Sequence, residues 1–200
     1  MPTIGLKDIH IAIITEDADG NETYGTPEYL APAMNVNMNI NYIDGKLPAD
    51  DRTYVYVKEF NDGTISIGLA DLPSAMAAKL LGAKLDTNGV LVNSVEDDSK
   101  APYVAVGFKA LRDNGKYEYD WFYRVKFGKP NEAYQTKGDS INFNTPTIEG
   151  TIYMRNKPLA NGDHAWGAKC IDGEEGVTSA TVNGWFDQVY EPTFAQNQGE

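Results

Sequence analysis

From Met34 to Asn41 the chain reads MNVNMNIN, with Met34, Val36, Met38 and Ile40 alternating with Asn35, Asn37, Asn39 and Asn41. A period of two puts successive side chains on opposite faces of an extended backbone, whereas a helix would repeat its apolar positions every three to four residues. The run therefore predicts a half-buried strand. Its pattern assigns the methionines, Val36 and Ile40 to an interior and leaves the four asparagines on a polar, uncharged, hydrogen-bonding face.

Similar alternation recurs along the chain. Ile9, Ile11 and Ile13 stand against His10 and Ala12, and the turn-rich EDADGNETYG that follows predicts an antiparallel pair with the asparagine strand. TYVYVKEF and TISIGLADL flank NDG, a favoured hairpin turn, and predict a second pair. The clearest hairpin is VAVGFKALRDNGKYEYDWFYRVKF. There Val104, Val106 and Phe108 lead to Asn114-Gly115, and Tyr117, Tyr119, Trp121, Tyr123, Val125 and Phe127 return opposite Glu118, Asp120, Arg124 and Lys126. SINFNTPTIEGTIYMR predicts strands on both sides of Pro146, with Ile141, Phe143, Ile148, Ile152 and Met154 inward. One helix is well signalled, at about residues 73–81, where Pro73 opens an Ala- and Leu-rich run that Gly82 can end. Residues 156–178 read as a loop with a short strand, and SATVNGWFDQVY as a second brief helix. The expected fold is mainly β: an antiparallel β-sandwich or partial barrel with one flanking short α-helix, in one domain over residues 1–200. An N-terminal arm (1–6), a projecting loop (41–63) and a C-terminal arm (188–200) are expected to extend from it, the arms being mobile in the free subunit.

Charge narrows the function. With 17 basic and 29 acidic side chains the net charge is −12, which opposes binding to a phosphate backbone or an anionic membrane surface. No apolar run reaches the ~18 residues of a membrane span, and the first residues lack a secretory pattern. Cys170 is the only cysteine, so a protein made in a reducing cytoplasm is expected. Neither His10 nor His164 lies in a catalytic motif. The pairs Asp50-Asp51, Asp97-Asp98 and Glu174-Glu175 read as solvated loop charge. DADGNETYGTPE places Asp17, Asp19, Asn21, Thr23 and Glu28 at calcium-loop spacing, but Glu22 stands where glycine is needed. No catalytic residue, metal site or cofactor is assigned, and an enzyme is not expected.

Taken in order, GLKDIHIAIITED, YGTPEYLAPAMNVNMNINY, ADLPSAMAAKLLGAKLDTNGVLV, APYVAVGFKALRDNGKYEYDWFYRVKF, YQTKGDSINFNTPTIEGTIYMR and WFDQVYEP resemble the major tail protein family of long-tailed bacteriophages infecting Gram-positive bacteria. The resemblance covers nearly the whole chain, least so over residues 156–178. It implies a structural tail-tube subunit, forming stacked hexameric rings that conduct genomic DNA without binding it specifically. Tail terminator, tail tip and tape measure proteins are the implied partners. The implied location is the virion tail, after synthesis in the host bacterial cytoplasm. On this reading the loop residues Asp44, Gly45, Asp50, Asp51, Tyr54 and Tyr56 meet another subunit. Asn35, Asn37, Asn39, Asn41, Glu118 and Asp120 are the candidates to line the lumen. The alternatives are a non-enzymatic β-sandwich module binding carbohydrate through Trp121, Trp166, Trp185 and the tyrosines, and a small hydrolase using an acidic pair.

Overall fold

Period-two sequences need partners for their backbone groups, and here they find them largely in one sheet. The computed structural model describes residues 2–49, 52–130, 136 and 145–194. The strands are β1 (Thr3–Glu16), β2 (Glu22–Tyr24), β3 (Glu28–Tyr29), β4 (Ala33–Ala49), β5 (Arg52–Leu69), β6 (Lys84–Leu85), β7 (Leu91–Val92), β8 (Val104–Arg112), β9 (Tyr117–Phe127), β10 (Thr147–Tyr153) and β11 (Gly167–Ile171). The helices are α1 (Ser74–Leu81), α2 (Asp97–Lys100) and α3 (Ser179–Asn183). Nine strands form one antiparallel sheet in the order β2-β1-β8-β9-β10-β5-β4, with β3 beside β1 and β11 beside β9. The sheet curls until β4 comes within 8 Å of β1, and no ladder joins these two strands. The fold is thus mainly antiparallel β in a barrel that is not closed.

The first core fills the curl: Ile9, Ile11, Ile65, Ile67, Val104, Val106, Phe122, Val125, Ile148 and Ile152 are at most 2% exposed. Helix α1 packs Ala77, Leu80 and Leu81 against it. Gly82 stops this helix at φ 68°, where a Cβ would stand 2.7 Å from the Ala101 nitrogen. A second core covers the other face of β1, β8 and β9. It gathers Ala12, Ala105, Tyr119, Trp121, Tyr123, Cys170, Trp185 and Val189. The Trp121 indole donates to the Trp185 carbonyl at 3.0 Å, and the Tyr123 hydroxyl to that of Tyr190 at 2.8 Å. Among the described residues, strands β10, β5 and β4 lack this second cover.

Several expectations change for identifiable reasons. The opening segment does not pair with the asparagine strand, because the tight β1–β2 turn and then β3 occupy that edge of β1 first. NDG makes no turn: β5 runs straight through Asn61-Asp62-Gly63 as the partner of β4. Strand β9 does not keep one alternation. Val104 pairs with Val125 but Val106 with Phe122, so a bulge moves Val125 and Phe127 to the first core while Tyr119, Trp121 and Tyr123 stay in the second. Residues 3–6, expected in an arm, open β1 on β8. The start of the expected C-terminal arm is also fixed, since Val189 is buried and Glu191 pairs with the buried Arg155 at 3.0 Å. Met34 is 50% exposed because it is the extra residue of a bulge between Ala33 and Asn35, and Met38 is 46% exposed because β4 is a sheet edge. Met154 lies beyond the end of β10 and is exposed. Ile141 and Phe143 lie outside the described residues.

A buried ion pair ties the β1–β2 hairpin to this frame. The Glu22 carboxylate contacts the Arg124 guanidinium and accepts from the backbone nitrogens of Asn156 (2.9 Å) and Lys157 (3.3 Å). Arg124 lies 3.7 Å above the Tyr103 ring and also reaches Glu16 at 2.6 Å. Glu22→Ala strands a buried charge and two amides, so it is expected to cost about 3–5 kcal/mol of unfolding free energy. Glu16→Ala, at a half-exposed site, is expected to cost below about 1 kcal/mol. Urea denaturation of both variants separates the two.

Candidate assembly surface

Because none of the described residues covers the outer face of β4, β5 and β10, the register of these strands builds two cross-sheet rows there. Asn39 lies opposite Thr64, Thr64 opposite Thr151, and Thr151 opposite Lys126; Asn37 lies opposite Ser66 and Ser66 opposite Glu149. The rows line a shallow trough of about 530 Å³. The asparagines hold one another: Asn39 donates to Asn41 at 2.9 Å, and Asn41 to the Asp62 carboxylate at 2.6 Å. Asn35 folds over Gly68, where a Cβ would meet its amide at 2.9 Å. The face is polar and nearly neutral, with Lys126 and Glu149 as its ionic groups at the trough.

The same two strands then leave the body. From Tyr42 and Phe60 outward, the β4–β5 pair extends by about seven residues, or ~25 Å at the usual strand rise. Cross-strand pairing sorts its side chains cleanly. Ile43, Gly45, Leu47, Val55, Val57 and Glu59 share one side, and Tyr42, Asp44, Lys46, Tyr56, Lys58 and Phe60 the other. The aliphatic side is bare: Ile43 is 61% exposed, Leu47 56%, Val57 48% and Val55 40%. On the opposite side Lys58 sits 4.2 Å from the Tyr42 ring centre and Lys46 5.6 Å from that of Tyr56. A two-stranded ribbon is marginal in water, and an aliphatic stripe along one adds a face that favours burial.

Of the loop residues singled out in the sequence, Asp44, Gly45 and Tyr56 lie in this hairpin, Tyr54 belongs to β5, and Asp50 and Asp51 lie outside the described residues. Asn35, Asn37, Asn39 and Asn41 form the edge of the polar face. Glu118 and Asp120 do not join them. With Phe122 they point to the first-core side, and the bulge in β9 sends Arg124 and Lys126 to the other. Lys169 holds Glu118 at 2.6 Å and Asp120 at 3.6 Å. Thr64, Ser66, Glu149 and Thr151 were not found from the sequence; the alternation in TISIG and TIEGT was visible, but only strand order sets these residues beside the asparagines.

The carbohydrate-binding alternative at the tryptophans and the metal-loop alternative lose their footing in particular contacts, and the two histidines are engaged as well. Trp121 and Trp185 are buried, and Trp166 is sandwiched between Phe60 and Phe122, so none offers an open stacking platform. His10 stacks on Phe186 at 4.4 Å and its Nδ1 meets the Asp8 carbonyl. The Nδ1 of His164 lies 3.0 Å from the Arg155 carbonyl. Asp17 accepts from Asn21 and from the Asp19 backbone, closing the β1–β2 turn. Among the described residues no group of three or more His, Cys, Asp or Glu is placed to hold a metal, and no helix is long and apolar enough to cross a membrane.

No protein-family model matches the chain, and no curated protein does. Among solved structures the chain is similar to the anti-feeding prophage cap, a tube terminating cap, at 12% identity and a TM-score of 0.40, over 86% of this chain and 93% of that one.

Burial, reinforced by the neighbouring Glu118 charge and opposed by Lys169, pushes the Asp120 carboxyl up to about 6. The folded chain then holds its proton more tightly than the unfolded chain, where the ordinary value is about 3.9. This group therefore adds stability below about pH 4 and loses it as pH rises through 6, by roughly 2–3 kcal/mol in all. Asp120→Asn is expected to flatten that stretch of the pH profile and to raise stability at pH 7. Urea midpoints at pH 4.5 and 7 for both chains are the check; identical pH slopes would reject the assignment.

Proposed function

We propose that this chain is a self-assembling structural subunit of a phage-type tail tube, acting by packing against copies of itself. The observation that carries the reading is the projecting β4–β5 hairpin, whose aliphatic side is exposed at Ile43, Leu47, Val55 and Val57. Burying ~25 cal/mol per Å² of apolar surface favours covering such a side with protein. The family resemblance of the sequence supplies the form: six copies in a ring, rings stacked, and a channel for DNA.

The polar face supports the lumen assignment. A channel for DNA has to stay wet without holding phosphates, and a row of cations would bind the duplex at every turn. Asparagine, threonine and serine hydrate well and carry no charge. We assign Asn35, Asn37, Asn39 and Asn41 to the lumen together with Thr64, Ser66 and Thr151. Glu118 and Asp120 are left out because Lys169 and the first-core side already engage them. Asp44, Gly45 and Tyr56 fall on the element that meets a neighbouring subunit.

Leu47→Asp with Val57→Asp is expected to leave the thermal unfolding of the body unchanged, since both side chains are exposed, and to abolish polymers in sedimentation and negative-stain images. Deleting residues 44–52 is expected to do the same. Full-length polymers from either chain contradict the reading. For the lumen, Asn37→Lys with Asn39→Lys is expected to allow assembly and to slow or stall DNA ejection. Normal ejection through such tubes removes this face from the channel, and failure to assemble moves it to a subunit contact.

A further inference from the structure

The apolar side chains change sides of the sheet where the hairpin leaves the body. On β4, Val36 and Ile40 pack toward the first core, whereas Ile43 and Leu47 fall on the asparagine side, since three positions separate Ile40 from Ile43. On β5, Val55, Val57, Ile65 and Ile67 all occupy odd positions, and an unbroken strand would hold them on one face. Asn61 breaks it. Asn41 pairs with Asp62 but Tyr42 pairs with Phe60, so Asn61 is the extra residue of a bulge, and beyond it Val57 and Val55 come round beside Ile43 and Leu47.

The bulge is held from both sides. Inside it, Gly63 lets the strands close up, since a Cβ there would stand 2.8 Å from Ile40 Cδ1 and 3.1 Å from the Asn39 carbonyl. Outside it, Phe60 lies parallel to Trp166 at 5.8 Å, and Trp166 to the core residue Phe122 at 6.2 Å. These stacks fix which side of β5 faces the body just before the hairpin departs.

We propose that the Asn61 bulge, clamped by Phe60 on Trp166, is the device that turns both aliphatic stripes to one side and so creates the surface that binds a second copy of this chain. The inference rests on the self-assembly reading. Charge and area identify the occupant. Two copies of net charge −12 repel, so their contact falls on a surface poor in charge, and over the pairs from Ile43 with Glu59 to Leu47 with Val55 the aliphatic side carries Glu59 as its single charged residue. A two-stranded ribbon ~25 Å long and ~10 Å wide offers ~250 Å², well under the ~800 Å² per partner of a stable pair. A single hairpin contact is too small for an isolated dimer, and it suits an array in which every copy both gives and receives one.

Two one-residue changes test this in the full-length chain. A serine inserted between Asn41 and Tyr42 gives Asn61 a partner, abolishes the bulge and carries the intact aliphatic face to the core side. Deleting Asn61 also abolishes the bulge but leaves the face where it was. The insertion is expected to raise the concentration needed for polymerisation at least about tenfold, and the deletion to change it by less than about threefold. An insertion variant that polymerises like the native chain, or a folded deletion variant as defective as the insertion, overturns the proposal. Disulfide trapping in the native-length monomer reads the register without assembly. Ile43→Cys with Glu59→Cys is expected to cross-link on oxidation, and Ile43→Cys with Phe60→Cys is not; the reverse pattern overturns the bulge. A native chain that never polymerises sinks the self-assembly reading and the role given to the bulge, while the trapping result still decides the register.

Discussion

A strand has two sides and a repeat of two, so one extra residue in one strand of a pair exchanges inside for outside for everything beyond it. Three such residues organise this sheet. The bulge at Met34 sets the asparagines outward as β4 begins, the one in β9 between Phe122 and Val125 transfers the strand's apolar residues from the second core to the first, and the one at Asn61 gathers the aliphatic residues of the hairpin on a single side. Pair the same sequence residue for residue through any one of them, with no bulge, and a different set of side chains would be buried.

The unequal covering of the sheet follows from this. Strands β1, β8 and β9 are buried on both faces, with isoleucines, valines and phenylalanines on one and tyrosines and tryptophans on the other. That half is closed by α1 over one core and by the segment around Trp185 and Val189 over the other. The β10-β5-β4 half is buried on one face, and its other face carries the asparagine, threonine and serine rows. The hairpin is covered on neither face by the described residues. Burial thus falls stepwise across one sheet, and the surface proposed for assembly lies where it is least.

The polar groups follow the same gradient. In the doubly covered half, charges are paired and expensive to disturb, as with Glu22 and Arg124, or are held away from their ordinary titration range, as with Asp120. On the open half, the amides bond to one another and to Asp62. An open face of this kind is cheap to change without unfolding the chain, which is why substitutions there test function and those at Glu22 test stability.

Strict alternation, the Asn114-Gly115 turn and the Pro73–Gly82 frame of α1 are local signals, and they suffice for the class of fold. The sequence by itself also marked the asparagine row and the segment that becomes the hairpin. Which strands are neighbours, and with that which residues share a face, was settled by contacts between distant segments. NDG looks like a turn in isolation, yet in the sheet it supplies a bulge and a close approach, since β4 pairs with β5 along its whole described length. Glu118 and Asp120 look like partners of Lys126 along one strand, yet one bulge puts them on opposite sides. Trp121 and Trp185, read as possible binding platforms, joined Tyr119 and Tyr123 in a second core once α3 and the chain after it folded back over β9. In each case the deciding quantity was register between segments distant in sequence, which depends on how two strands meet and is not encoded in the periodicity of either one.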